Sequence, residues 1–211
     1  MEEKNLSCVD CGRCNCHLGG DFTDFCPTGN MDPDFLKLVI EKYNEDDNLN
    51  FMQTAAGVEF DGYCKLTRVE EICLFAKRMG FKKIGVATCV GLIRESRTLA
   101  KVLRSHGFEV YGIGCKVGSV SKQLLGIPEK CNEIGGNICN PIMQAELLNK
   151  AETEFNIVVG LCVGHDSLFY KYSKAPVTTL VAKDRVTCHN PAAVLYNADS
   201  FYARKIWGEN K

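Results

Sequence analysis

Short apolar runs alternate with amphipathic stretches along the second half of the chain. The runs KKIGVAT, FEVYGIG, NIVVGL and VTTLVA have the length and composition of buried strands. Apolar residues recur at helical spacing over about 92–106 and 140–154, and a short helix is predicted over about 166–172. Strands that alternate with helices are typical of parallel βαβ units. The pattern predicts an α/β fold with a doubly wound, mainly parallel sheet of four or more strands, of the Rossmann or flavodoxin type.

Three helices are predicted ahead of this sheet. Asp32 has the features of an N-cap, Pro33 follows at the first helical position, and apolar residues then recur at helical spacing. A second helix is expected over about 49–59. The third begins with a capping box formed by Thr67 and Glu70.

The segment before the helices has a different character. Residues 1–31 have no apolar period and are rich in Gly, Cys, Asp and Asn, so this segment needs something other than a hydrophobic core to hold its shape. A bound metal would supply that constraint. We therefore divide the chain into a cysteine-rich metal-binding module over 1–31, a helical segment over 32–80 that packs on the core, and an α/β domain over 81–211.

Charge and composition exclude several functions. The 211 residues include 25 Lys and Arg against 26 Asp and Glu, without a basic run, so neither nucleic acid nor an anionic membrane is an expected partner. No apolar stretch approaches the length of a membrane span, and the first residues lack an apolar signal region, which predicts a cytoplasmic protein. In a reducing compartment, 13 cysteines indicate metal binding or thiol chemistry rather than disulfides.

The first group of cysteines lies in SCVDCGRCNCHLGG and the Cys-Pro that follows it. Three of them are separated by two residues each, a spacing with which a short loop wraps an iron–sulfur cubane, and the later Cys26-Pro27 resembles the Cys-Pro of bacterial ferredoxins. Cys26 is favoured as the fourth ligand because Pro27 fixes the backbone, and Cys16 is the alternative. The predicted metal ligands are Cys8, Cys11, Cys14, Cys16 and Cys26.

Zinc is the main alternative for this loop. Zinc also accepts four thiolates, or three with His17, although its sites usually come as two separated cysteine pairs. The cofactor expected here is one iron–sulfur cluster of the [4Fe-4S] type, with zinc as the competing metal.

A second group of cysteines follows the predicted strands and begins the predicted helices. The carboxyl ends of parallel strands share one edge of a sheet, helices in this architecture start at the same edge, and ligands bind in the crevice there. A helix amino terminus also lowers the pKa of a thiol beside it. This edge is expected to carry a second cluster or metal held by cofactor-binding residues from strand ends, helix starts and the loop over 119–137, namely Cys89, Cys115, Cys131, Cys139, Cys162 and Cys188.

Two histidines and one further cysteine remain to be interpreted. His165 and His189 each lie within three residues of a predicted ligand, and they are the acid–base candidates for catalysis. Cys73 lies on the apolar side of a helix and is predicted to be a core residue. A role in the hydrophobic core is also the alternative interpretation for the whole second group of cysteines, since a free cysteine often behaves as a small buried apolar residue.

The N-terminal cysteine run, the strand ends ATCVGL and GLCVGHD, and the CHNP near the C-terminus together resemble an uncharacterised family of bacterial and archaeal cysteine-rich proteins. The resemblance covers essentially the whole chain. It implies metal binding by cysteine in a domain of unknown function, and it implies no reaction.

The leading hypothesis is a cytoplasmic iron–sulfur protein with one or two clusters. The N-terminal cluster would pass electrons to the sheet edge, where a small molecule is reduced or carries sulfur, as in a cluster-dependent oxidoreductase or sulfur-transfer enzyme. The expected partners are an electron-transfer protein, a small-molecule substrate or both, and self-association into a homo-oligomer stays open. One alternative is a non-enzymatic carrier of zinc or another metal, or a redox sensor. Another is a structural zinc module joined to an enzyme with a cysteine nucleophile.

Overall fold

The fold is known from a computed structural model, which describes residues 6–208. The chain separates into two compact units, Met1–Ala56 and Gly57–Lys211. Within the described residues, no helix combines the length and the apolar character that a membrane crossing requires.

The first unit is built from tight turns followed by helices. Its cysteine-rich loop contains two 3-10 turns, Cys8–Asp10 and Asn15–His17. Helix α1 covers Pro33–Glu41, and its first turn is capped by the Asp32 carboxylate, which accepts a hydrogen bond from the Asp34 amide at 2.9 Å. The predicted start of this helix is confirmed. Helix α2 covers Asn48–Gly62 and runs past the division between the units.

The second unit alternates strands with helices, as the hydrophobic pattern predicts. Its helices are α3 Arg68–Arg78, α4 Ile93–Ser105, α5 Pro141–Lys150, α6 His165–Tyr172, α7 Ala192–Tyr196 and α8 Ala203–Ile206. Its strands are β1 Lys83–Thr88, β2 Glu109–Gly114, β3 Phe155–Val159 and β4 Val177–Val181.

The four strands form one parallel sheet in the order β2-β1-β3-β4. The chain moves outward from β1 to β2, and then crosses back over β1 to form β3. Since crossovers between parallel strands are right-handed, this reversal puts α4 on one face of the sheet and α5 with α6 on the other. The packing of α5 against α6 agrees with that placement. The predicted doubly wound α/β fold is confirmed, and the strand order reverses between β1 and β3.

Helix α3 contacts the start of β3 through Phe75, whose ring centroid lies 5.5 Å from that of Phe155. Its capping box is confirmed, because the Thr67 amide donates to Glu70 Oε2 at 2.8 Å and the Glu70 amide donates to Thr67 Oγ1 at 3.4 Å. Cys73 in this helix is 3% exposed and is a core residue, as predicted. Burial raises the pKa of its thiol, and the charge of Glu70 adds to that effect.

A buried asparagine near the start of β3 ties the strand to the turn before it and to the end of α6. Asn156 is fully buried, its Oδ1 accepts from Thr153 Oγ1 at 2.8 Å, and its Nδ2 donates to Ser173 Oγ at 2.9 Å. Gly85 on β1 leaves the space for it, because a Cβ at this position would lie 1.9 Å from Asn156 Oδ1. The side chain therefore depends on glycine in the adjacent strand.

A Gly85→Ala substitution should lower the free energy of unfolding by about 1–3 kcal/mol, because the added methyl must displace a hydrogen-bonded, buried amide. Gly112→Ala on β2 is the matched control, since its Cβ would have its nearest neighbour at 3.9 Å. Urea unfolding measures both free energies. Equal losses in the two variants would contradict this account of Asn156.

Candidate functional site

A cavity of about 910 Å³ lies at the edge of the sheet where the strands end. It is here called the sheet-edge cavity, and its walls come from the loops that follow β1, β2, β3 and β4 together with the start of α5. Five of the six cysteines predicted for this edge line it, namely Cys89, Cys115, Cys131, Cys139 and Cys162. The acid–base candidate His165 lines it as well.

Two of these cysteines continue the hydrogen bonding of the sheet by one residue. The Cys89 amide donates to the Val159 carbonyl at 3.0 Å, and the Cys115 amide donates to the Thr88 carbonyl at 2.8 Å. The backbone of each cysteine is therefore held by the same kind of hydrogen bond as a residue within a strand. Both side chains are buried, at 9% and 2% exposure, and they also belong to the hydrophobic core.

Cys139 and Cys162 precede the two helices on one face of the sheet. Asn140 caps α5 through a hydrogen bond from the Met143 amide at 3.1 Å, and its own amide donates to the Cys115 carbonyl at 2.7 Å. Cys162 accepts the His165 amide at 2.9 Å through its carbonyl oxygen. These contacts fix both cysteines beside the starts of α5 and α6.

Three thiols of the cavity share protons. Cys115 lies within hydrogen-bonding reach of Cys89 and Cys139, and its S–H lowers the pKa of each to about 5. The same contacts, first from Cys139 and then from Cys89, raise the pKa of Cys115, and burial adds to this. The trio therefore loses its first proton at a pH well below the usual thiol pKa, and Cys115 keeps its own proton. One S–H can serve only one acceptor at a time, so the first proton comes from either Cys89 or Cys139.

Cationic side chains surround these thiols. The Arg185 guanidinium donates to Cys162 Sγ at 3.2 Å, Lys183 favours the thiolate of Cys89, and Lys116 favours that of Cys139. Backbone amides add two weaker contacts at 3.4 Å, from Gly91 to Cys89 Sγ and from Val90 to Cys115 Sγ. With Lys122, four cations line the cavity, and none of the described lining residues is Asp or Glu. The cavity is thus built to hold negative charge.

Two buried polar atoms in the wall have no hydrogen-bond partner among the described residues. Gln144 is fully buried, and its Nε2 donates to the carbonyls of Ile113 at 2.7 Å and Thr88 at 3.2 Å, which leaves its Oε1 unpaired. The Nδ1 of His165 is also buried and unpaired. Because such groups are nearly always satisfied in folded proteins, each indicates a place for a bound group or water.

Cys188 and His189 do not join the sheet-edge cavity. The sequence Cys188-His189-Asn190-Pro191 predicts a thiol just before an Asn cap with Pro at the first helical position, but α7 begins at Ala192 and has no side-chain cap. Asp184 Oδ1 instead accepts the amides of Val186 at 2.8 Å and Thr187 at 3.0 Å, and the Asp184 amide donates to His189 Nδ1 at 3.1 Å. The resulting closed turn leaves Cys188 exposed.

The N-terminal cysteines surround a smaller cavity of their own. It has a volume of about 220 Å³ and is here called the loop cavity. All five predicted ligands of this segment line it, namely Cys8, Cys11, Cys14, Cys16 and Cys26. Arg13 and Asp21 also line it and form an ion pair at 2.6 Å. Cys14 takes a left-handed conformation with φ of 53°, which turns the loop sharply between Cys11 and Cys16.

Cys26 has an environment suited to a thiolate. The backbone amide of Gly29 lowers the pKa of its thiol, and hydrogen bonds from Thr28 act in the same direction. Such amide-to-sulfur hydrogen bonds are among the features that tune iron–sulfur sites. The Oγ1 of Thr23, which also lines the loop cavity, is buried without a partner among the described residues.

The donors of the two cavities fit a thiolate-ligated metal by their chemistry. All thirteen cysteines are free thiols, and each cavity is lined by five of them. Within residues 6–208 no three Cys, His, Asp or Glu side chains already stand in an arrangement that could hold a metal ion. The fit therefore rests on the identity and grouping of the donors.

The cations and Gln144 were not predicted from the sequence. Lys183 and Arg185 follow β4, so the rule that gathered the strand-end cysteines would have found them. Lys122 and Gln144 carry no comparable signal, because one lies in a long irregular loop and the other inside a helix.

The fold and the sheet-edge cavity together define a doubly wound α/β protein with a cysteine-lined, positively charged crevice. The chain belongs to the family described as "Protein of unknown function (DUF1847)", which it matches over residues 26–180. It is also 42% identical over 201 residues to the uncharacterized protein MJ0455 of Methanocaldococcus jannaschii, an alignment that covers 95% of this chain and 98% of the relative. The resemblance to a cysteine-rich family is confirmed to this extent, and neither description assigns a metal or a reaction.

The shared protons of the trio predict an unusual alkylation profile. In the metal-free protein, the first of Cys89 and Cys139 to ionise should react with iodoacetamide with a pH midpoint far below the usual thiol value of about 8.5. Cys115→Ala removes the S–H donor, so the midpoint should rise toward that value, as read by mass spectrometry of quenched samples. Cys73→Ala, a core cysteine outside the cavity, should leave the profile in place. An unchanged profile in Cys115→Ala would show that the trio does not share protons.

Proposed function

We propose that the chain is a cytoplasmic iron–sulfur protein with a cluster held by the N-terminal loop and a second cluster or metal at the sheet edge. The sheet-edge site would serve electron transfer to, or cluster-based chemistry on, a small molecule. When bound, such a cluster accepts and donates single electrons and can offer an iron without a protein ligand as a Lewis acid. Binding of metal by cysteine is also what the resemblance to the family implies.

One observation carries the proposal for the sheet edge. Five cysteines, separated by up to 73 residues in sequence, line one cavity with four cations and, among its described lining residues, no carboxylate. Burial of Cys89 and Cys115 in the core would explain their low exposure. It would not explain the basic side chains beside Cys89, Cys139 and Cys162. A thiolate-ligated cluster carries negative charge, and these cations would neutralise it.

The loop cavity supports the first cluster in a different way. Its residues form only short turns, and most of them are exposed, so a bound metal would provide the stabilisation that a hydrophobic core provides elsewhere. Cys8, Cys11 and Cys14 would be ligands. Cys26 would be the fourth, because its thiolate is favoured by the Gly29 amide and Pro27 follows it. Cys16 would then be left unligated beside the metal.

A second candidate function is a cysteine-nucleophile enzyme joined to a structural zinc module. The lowered pKa of Cys89 and Cys139 favours it, since the thiolate is the reactive form of cysteine. His165 would act as the acid or base, because it lines the same cavity and influences Cys139.

Anaerobic purification with analysis of iron, acid-labile sulfide and zinc tests the proposal. The wild-type protein should be brown and hold about four irons for each occupied site, thus about eight in all. Cys11→Ser with Cys14→Ser should remove the first group of irons, and Cys89→Ala with Cys162→Ala should remove the second. Each pair of substitutions should therefore halve the iron content and leave the other site filled.

Cys64→Ser is the matched control, because Cys64 is exposed and lines neither cavity. It should keep the full iron content, and circular dichroism should show that every variant retains its fold. A colourless wild-type protein with one zinc would refute the iron–sulfur proposal and favour the second candidate. Undiminished iron in the Cys89 and Cys162 variant would refute the sheet-edge site alone.

A further inference from the structure

The sheet-edge cavity is larger and more apolar than a metal site requires. Its volume of about 910 Å³ lies in the range of small-molecule sites, which is about 300–1,000 Å³. Part of its wall is aliphatic, and these side chains offer nothing to a metal. They are Leu125, Ile127, Ile134, Ile138, Leu161 and Leu168. The cavity therefore has room and surface for an organic molecule beside its thiols.

The position of Lys122 in the cavity wall is not explained by a contact with a thiol. Lys122 is only 7% exposed, although lysine is rarely buried unless it is paired. Its ammonium donates to the Cys131 carbonyl, and within residues 6–208 it forms no ion pair. Arg185 and Lys183, by contrast, each act on a named thiol. A buried ammonium bound only to a backbone carbonyl is costly, and an anion in the cavity would offset that cost.

The unpaired polar atoms of the cavity wall indicate that a molecule bound in the cavity would also carry polar groups. Gln144 Oε1 can only accept a hydrogen bond, and its Nε2 is committed to two backbone carbonyls. A ligand that reaches it would offer a hydroxyl or an N–H group. His165 Nδ1 can donate or accept, depending on the tautomer.

We propose that the sheet-edge cavity binds a small organic anion, a carboxylate or a phosphate ester, whose acidic group pairs with Lys122 and whose apolar part lies on the aliphatic wall. The inference rests on the proposed function in that it names the ligand class of the same site. The contact with Lys122 itself requires no metal. Carboxylate and phosphate share the chemistry that Lys122 recognises, since its ammonium acts as a point charge toward both.

Calorimetric titration with three eight-carbon probes tests this inference. Octanoate and octyl phosphate should bind the wild-type protein, and octanol, which lacks the charge, should bind at least about tenfold more weakly. Lys122→Met keeps the apolar volume and should remove that preference, whereas Lys122→Arg should retain it. Lys101→Met is the control, because Lys101 is exposed on α4 and does not line the cavity.

Binding of either anion with dependence on Lys122 supports the proposal, and the preferred probe identifies the acidic group. Failure of both anions to bind, equal affinity for octanol, or full affinity in Lys122→Met would overturn it. Iron is measured in the same preparations, so the two proposals fail separately. Normal iron without anion binding refutes this inference alone, and anion binding to a protein without metal refutes the proposed function alone.

Discussion

The site depends on the parallel pairing of β1 with both β2 and β3. Because β1 lies between them, one set of hydrogen bonds aligns the carboxyl ends of three strands, and the amides of Cys89 and Cys115 extend that set by one residue. The right-handed crossovers then bring the starts of α5 and α6 to the same edge. Strand ends and helix starts from distant parts of the chain therefore meet at one edge, and a long loop adds Cys131 to them.

The thiols of this edge serve two physical roles at once. Cys89 and Cys115 fill space in the core, and they also face a cavity whose cations favour the thiolate form. A core position alone would favour the neutral thiol, since burial raises the pKa, as it does at Cys73. At Cys89 the S–H of Cys115, the Gly91 amide and Lys183 outweigh burial. Packing in the core alone would not produce that balance.

The N-terminal unit achieves its grouping of thiols by local means. Its five cysteines lie within nineteen positions, and short turns, including the left-handed residue Cys14, suffice to direct them at one cavity. In the described part of this loop, no ladder of strand hydrogen bonds supports these cysteines. For this reason the loop would gain more order from a bound metal than the sheet edge would.

Short-range sequence rules predict the helices and strands and the edge at which most of the thiols gather. Alternating apolar runs, the cap at Asp32 and the box at Thr67 predict the helices and strands, and thiols at strand ends predict the shared edge. Which further groups line that edge depends on how the chain packs in three dimensions. Cys188 does not line the sheet-edge cavity and lies in a segment where Asp184 accepts hydrogen bonds from the next amides of the chain. Lys122 and Gln144 line the cavity because a long loop and a helix pass over the strand ends. The placement of Lys122 and Gln144 depends on long-range packing that no local spacing encodes, whereas the Asp184 turn is itself a local contact that the spacing of the cysteines does not reveal.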